Sequence, residues 1–420
     1  MPSSRSNWTE RVSMTFPMRR LSVAACCLAL LGGCSAPLPS AAPTSSPPPA
    51  TTAPPSSAVA SEPESEAPSA TPTTPTTPAE QCLDAAAGLS LEARIGQLIM
   101  VGVEGDLDAA EERAITAHEL GSVVLLGTQD LGVRETAALT SRIADLNPDA
   151  GILVAADQEG GAVQRLTGSG FGRMPSATRQ AGLSDTELRE AARTWGSALA
   201  RAGVPLNLAP VADVVPSKKR GSNAPIGKLG RGYGADPAVV TAKTAAVIGG
   251  LEDAGVAATV KHFPGLGEVA GNTDHAAGVV DRVTAADSAS LKPFRAAAQG
   301  GVGAVMVSSA TYTRIDPKNR AVFSRKVIGL LRQWGYDGVV ISDDLGAAVA
   351  LRGVPASQRA VRFLAAGGDL VINANPGSIA AMVAGVKKEA RSDPAFEQQL
   401  TSSTSRVLAL KEAVGRYDCG

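Results

Sequence analysis

Histidine is scarce in this chain: His118, His262 and His275 are the three in 420 residues. Neither they nor the five cysteines stand at the spacings that ligate a metal, so no metal centre is expected. Charge of either sign is no more plentiful than the other. Against 39 Lys and Arg stand 40 Asp and Glu, and a formal charge of -1 gives no reason to expect a nucleic-acid partner. The apolar run over residues 21–31 is too short to span a bilayer as a mature helix. No glycine-rich dinucleotide fingerprint follows the first apolar run of the folded part, and no cofactor is expected.

What is present begins with that short run. Met18, Arg19 and Arg20 precede it, giving the basic and apolar regions of a secretory signal. It ends in Leu31-Gly32-Gly33-Cys34, which resembles the bacterial lipobox, whose cysteine is lipidated. The expectation is a signal peptide over residues 1–33, a lipid on Cys34, and an exported protein anchored to the outer face of the cell membrane. The alternative is an ordinary signal with a chance cysteine. Residues 35–80 are nearly all Ser, Thr, Ala and Pro, with almost nothing to bury, so 34–81 is expected to be a disordered tether. Cys26 and Cys27 leave with the signal. Cys82 and Cys419 then lie at the two ends of the expected folded domain, 82–420. In an oxidising compartment they can join its termini; two unpaired thiols in frayed ends are the other reading.

Within 82–420 no second composition break appears, which suits one large domain. Short apolar runs recur at 95–103, 122–126, 152–156, 206–211, 257–260, 304–307, 339–341 and 370–372, with Ala-rich helical stretches between them. Continuous rather than alternating apolarity marks strands covered on both faces, the pattern of a parallel sheet under helices. Eight such repeats predict a single (β/α)8 barrel of the TIM type. Thr284-Ala285-Ala286-Asp287 has the form of a capping box before one of the helices. In such a barrel the chemistry gathers just after the strand ends. Polar residues cluster there: Asp157-Gln158-Glu159, Asp213, Lys261-His262, Ser308-Ser309, Asp343-Asp344 and Asn373. A ring of acidic, basic and imidazole groups suits a small polar ligand such as a sugar.

Three of these clusters lie in longer strings. Asp157-Gln158-Glu159-Gly160-Gly161, Lys261-His262-Phe263-Pro264-Gly265-Leu266-Gly267 and Ser342-Asp343-Asp344-Leu345, in that order, resemble the β-N-acetylglucosaminidase branch of glycoside hydrolase family 3. The resemblance runs from about Leu89 to Leu410. It implies that Asp343 is the nucleophile of a retaining glycosidase, forming a covalent glycosyl-enzyme. It also implies that Asp157, Arg231, Lys261 and His262 grip the N-acetylglucosamine ring. Asp344 would cap a helix starting near Leu345, although the reverse assignment, with Asp344 reacting, stays open. Gln164 and Arg165 would brace the third loop, and Asp213 would orient Lys261 or Arg231. The implied substrate is a terminal N-acetylglucosamine on peptidoglycan fragments.

The chain departs from the family in one loop. Where the family has Asp-Ser-His, carrying its acid/base histidine, this sequence has Asn272-Thr273-Asp274, followed by His275. Either Asp274 or His275 could protonate the leaving oxygen, and Asp274 occupies the histidine's place without a register shift. Gly271 and its turn-forming neighbours predict a mobile loop. Leu266 also stands where the family motif commonly has a second histidine, and Ser309 lies near a family histidine after the sixth strand. Two other functions therefore remain open: a phosphorylase using phosphate in place of water, and a sugar-binding lipoprotein that has lost its acid.

Overall fold

The computed structural model describes residues 77–420. The expected signal, Cys34 and nearly all of the expected tether lie outside the described residues. Eight parallel strands form the centre: β1 (Ile99–Glu104), β2 (Ser122–Leu126), β3 (Leu153–Ala156), β4 (Leu206–Asn207), β5 (Ala257–Phe263), β6 (Ala304–Val307), β7 (Val339–Ser342) and β8 (Val371–Asn373). They are hydrogen-bonded in the order β7-β6-β5-β4-β3-β2-β1-β8. A parallel bridge between Ile341 and Leu370 joins the two ends of that row, so the sheet is an (β/α)8 barrel. Every residue of β3, β6 and β7 is buried, as the continuous apolar runs require of strands with side chains inside and helices outside.

The barrel helices follow their strands in turn: α1 (Ala109–Ala117), α2 (Val133–Asp145), α3 (Asp185–Arg201), α4 (Pro237–Glu252), α5 (Lys292–Gln299), α6 (Arg325–Gln333), α7 (Ala356–Ala365) and α8 (Ile379–Ser392). A ninth, α9 (Pro394–Ala413), closes the chain. Local chemistry starts several of them. Asp108 with Glu111 and Ser184 with Glu187 form capping boxes on α1 and α3, and Pro237 takes the first position of α4 behind Asp236.

Four expectations need correction. The run at 95–103 is not all strand, because Ser90 caps a helix, Leu91–Gln97, and β1 begins only at Ile99. The fourth strand pairs regularly only over Leu206–Asn207, since Pro210 has no N–H for the ladder; Val211 rejoins it as a bridge to Lys261. Lys261 and His262 in turn belong to β5 itself, which runs on to Phe263. Thr284 starts no helix: its hydroxyl donates to Asp281, and α5 begins at Lys292 after a 3-10 turn. At the ends of the domain Cys82 and Cys419 are joined by a disulfide across 337 residues, packed on Leu408 and Ala409. The described chain starts slightly before it, with Thr77 capping a one-turn helix, Pro78–Gln81.

Candidate active site

The pocket at the C-terminal mouth of the barrel, about 300 Å3, is lined by Asp157, Arg165, Arg231, Lys261, His262, Asp274, Asp343 and Asp344 among others. Its inner wall is apolar and includes Val124, Leu208, Leu266, Met306 and Ile372. Strand ends supply most of the polar groups, so their backbones are held by the barrel ladder rather than by loops.

Lys261 is the hub of one side. Its ammonium donates to Asp157 Oδ1 at 2.5 Å and to Glu159 Oε1 at 2.6 Å. Glu159 also holds Arg231 bidentately, accepting from Nε at 2.9 Å and Nη2 at 2.8 Å. Burial works against all three charges. For Lys261 the carboxylates of Asp157 and Glu159 outweigh it and hold the ammonium above its usual range. For Glu159 the two cations do the same and hold the carboxyl far below its own. Arg165 stands beside Asp157, with Nε 3.7 Å from Oδ2, while Gln164 ties the third loop by donating to the Leu166 and Gly172 carbonyls.

His262 belongs to a second pair. Its Nδ1 lies 2.8 Å from Asp213 Oδ2, and Asp213 Oδ1 accepts from the backbone N–H of His262 and of Leu266. Asp213 therefore orients His262 and the turn after β5, rather than Lys261 or Arg231 as expected. An acceptor-only carboxylate at Nδ1 places the proton there and leaves Nε2 facing Arg231 Nη2 at 3.4 Å.

Across the pocket Asp343 follows β7 and is half-buried. Burial and then the negative charge of Asp274 push its pKa up to about 7, against the opposing pull of His262. The Asp344 carboxylate is engaged by backbone amides instead. It accepts from the amides of Gly346, Ala347, Ala348 and Ala374, so it caps a turn and not an α-helix; α7 starts only at Ala356. Asp274 and His275 are both exposed, but Asp274 lines the pocket and His275 is not among its lining residues. The loop carrying them touches the turn after β7, with the Thr273 and Asp274 carbonyls accepting from the Ala350 and Val349 amides.

Two residues that shape the site carried no role in the sequence reading. Glu159 was visible only as the second acid of a strand-end string; the separation of 72 residues from Arg231 hid its function. Asn223 is fully buried and staples the Arg231 loop to the loop after β5. It donates to the carbonyls of Leu266 and Val269 and accepts from the amides of Ile226 and Gly227. A lone Asn in a polar loop gives no sequence signal for this.

Comparison with known proteins agrees with this fold. The Glycosyl hydrolase family 3 N terminal domain matches residues 90–410. A beta-hexosaminidase of Alkalilimnicola ehrlichii is 35% identical over 288 residues, 66% of this chain and 80% of that protein. One from Xanthomonas oryzae pv. oryzae is 33% identical over 294 residues, 67% of this chain and 85% of its own length. Among solved structures, the beta-N-acetylhexosaminidase of Beutenbergia cavernae is 43% identical with a TM-score of 0.76, covering 78% of this chain and 99% of that one. A family 3 beta-N-acetylglucosaminidase from Paenibacillus is 30% identical with a TM-score of 0.71, over 78% of this chain and 63% of that one. The chain belongs to glycosyl hydrolase family 3, and it is a glycoside hydrolase.

Proposed function

We propose that this β-N-acetylhexosaminidase is a retaining exo-acting enzyme that releases terminal N-acetylglucosamine from peptidoglycan fragments, with Asp343 as nucleophile and Asp274 as acid/base. The observation that carries this reading is the pairing of Asp343 and Asp274 in one pocket, close enough for the charge of one to raise the pKa of the other. A retaining glycosidase needs two carboxyl groups, one under the anomeric carbon and one beside the leaving oxygen. The pocket, about 300 Å3, is of a size that suits one terminal sugar. Asp157, Lys261, His262 and Arg231 present fixed donors and acceptors for ring hydroxyls, in orientations already set before substrate arrives.

In the first step Asp343 attacks the anomeric carbon while Asp274 gives a proton to the departing oxygen. In the second, Asp274 takes a proton from water, which displaces Asp343 on the face the leaving group vacated. An ionised Asp274 facing that step repels a phosphate anion, which favours hydrolysis over phosphorolysis. The same reading places the protein on the outer face of the cell membrane through a lipid on Cys34. Cys34→Ala is expected to move it from the membrane fraction to the soluble one, and retention by the membrane would refute the anchor. Incubation with a 2-fluoro aryl glycoside, followed by peptide mass spectrometry, tests the chemistry. The label is expected on Asp343; a label on Asp344, or none, overturns the assignment.

A further inference from the structure

The loop that carries Asp274 is docked on the loop that carries Asp343. Val349 N–H donates to the Asp274 carbonyl at 3.2 Å and Ala350 N–H to the Thr273 carbonyl at 3.1 Å. Inside the docked loop, Asn272 Oδ1 accepts from the Asp274 amide at 3.0 Å. Residues Val349–Leu351 form a single 3-10 turn, and that turn is held from two sides. On one side, Asp344 Oδ1 accepts from Gly346 N at 2.7 Å and Ala374 N at 2.8 Å, and Oδ2 from Ala347 N at 2.8 Å and Ala348 N at 3.1 Å. On the other, the Arg359 guanidinium donates to the carbonyls of Leu345 at 2.7 Å, Gly346 at 2.9 Å and Val354 at 2.8 Å. The path is continuous. Asp343 adjoins Asp344, whose carboxylate sets residues 346–348, and these lead into the two amides that hold residues 273–274.

Resting on Asp274 as the acid/base, we propose that Asp344 and the amides of Val349 and Ala350 form a positioning strap, which fixes the acid carboxyl relative to the nucleophile. Proton delivery in this enzyme then depends on a docked backbone rather than on a lid that swings closed. Asp344 touches no reacting atom in this scheme. It acts through the turn it holds, and the strap matters only when the leaving group needs a proton, because a misplaced acid costs rate only where acid catalysis is used.

Val349→Pro tests this at a single bond. Val349 is the first residue of its turn, a position that tolerates proline. Ala348 before it already has φ -54° and ψ 127°, the region a following proline requires. The substitution therefore removes the amide bonded to Asp274 and little else. Asp344→Asn is the second variant: it keeps the size but turns an amide NH2 toward two backbone N–H groups. Each is measured by kcat/KM on a dinitrophenyl N-acetylglucosaminide and on an N-acetylglucosamine-terminated disaccharide, with hydrogen exchange over residues 272–278.

Val349→Pro is expected to hold the aryl rate within about threefold and to lose about tenfold on the disaccharide, the scale of one displaced hydrogen bond, with faster exchange in 272–278. Asp344→Asn is expected to show the same split, larger. Any effect of its charge on Asp343 enters both substrates alike, because both require attack by Asp343. Equal losses on the two substrates in both variants, or unchanged exchange in 272–278, would overturn the strap. Asp274→Ala separates the two claims. If it shows strong leaving-group dependence while Val349→Pro and Asp344→Asn do not, the strap alone is wrong; if Asp274→Ala lacks that dependence, the acid assignment fails and the strap falls with it.

Discussion

Two lysines in this molecule are almost completely buried, and burial has opposite outcomes for them. Lys261, 1% exposed, lies at the mouth of the barrel between Asp157 and Glu159, and their charges hold its ammonium above the usual range despite desolvation. Lys411, 0% exposed, reaches from α9 to the opposite end of the barrel, where it donates to Gln97 Oε1 at 2.5 Å and to the Ala150 carbonyl at 2.8 Å. Both partners stand just ahead of strands, and neither carries charge. Without a carboxylate, burial pushes Lys411 down to about 7. The mouth is thus a network of compensated charges that can address a ligand, while the floor holds a lysine whose partners are all uncharged. Variants at the mouth should read out in rate, and variants at the floor in stability.

The largest effect expected at the mouth comes from Asp343→Asn. It should lower kcat by at least about 10^3-fold, since a nucleophile acts as part of a unit whose other members cannot replace it. Its melting temperature should stay within a few degrees of the parent, because the carboxyl does not belong to the core. A variant with comparable turnover would remove Asp343 from the mechanism. Glu159→Gln should act on both readouts. It leaves Lys261 and Arg231 buried with one fewer carboxylate, and breaking such a pair costs on the order of 3–5 kcal/mol. Denaturant unfolding and KM should both worsen. Unchanged stability would mean that the two cations find compensation elsewhere and that the contrast with Lys411 is overdrawn.

Much of the barrel was legible from the eight apolar runs, because strands buried on both faces leave an uninterrupted signal. The boundaries were less so. Ile95 lay in an apolar run, yet it belongs to a helix, Leu91–Gln97, that Ser90 caps. At the site, residue types at strand ends showed which side chains gather at the mouth, but not which partner each one has. Asp213 with His262, Glu159 with Arg231 and Lys261 with Asp157 are separated by 49, 72 and 104 residues, and no local pattern encodes such pairings. The hold on the Asp274 loop was hidden more deeply, since it runs through backbone amides of Val349 and Ala350, whose side chains take no part in it.

At the floor, Lys411→Met should leave kcat/KM unchanged and alter the pH dependence of stability. The unfolded chain keeps this proton up to its ordinary value of 10.5, and the folded chain only up to about 7. Between those values the unfolded state binds the extra proton, so this group's contribution to native stability falls as pH falls from about 10.5 to about 7 and is flat below that. Methionine removes the linkage. The melting temperature of the variant minus that of the parent should therefore rise as pH is lowered across this window, then level off. A difference that is constant with pH would show that Lys411 stays charged when buried, and the two lysines would no longer contrast.

The smallest expected effect is a shift along the pH axis, and it tests whether the two carboxylates at the mouth sense each other. Asp343 is pushed up to about 7, first by burial and then by the charge of Asp274. With a dinitrophenyl glycoside the leaving group needs little help, so kcat/KM requires only that Asp343 be ionised, and its acid limb should fall near pH 7. Asp274→Asn removes the second cause and leaves the first. Taking away a neighbouring negative charge favours the ionised form, so the limb should move to lower pH while staying above an ordinary aspartate, because burial remains the larger cause. With a disaccharide the parent must also hold a proton on Asp274. Asp274→Asn should then abolish the activity. An acid limb that does not move in Asp274→Asn would place Asp274 out of electrostatic reach of Asp343, leaving a nucleophile in a sugar-binding cradle with no second carboxyl to serve it.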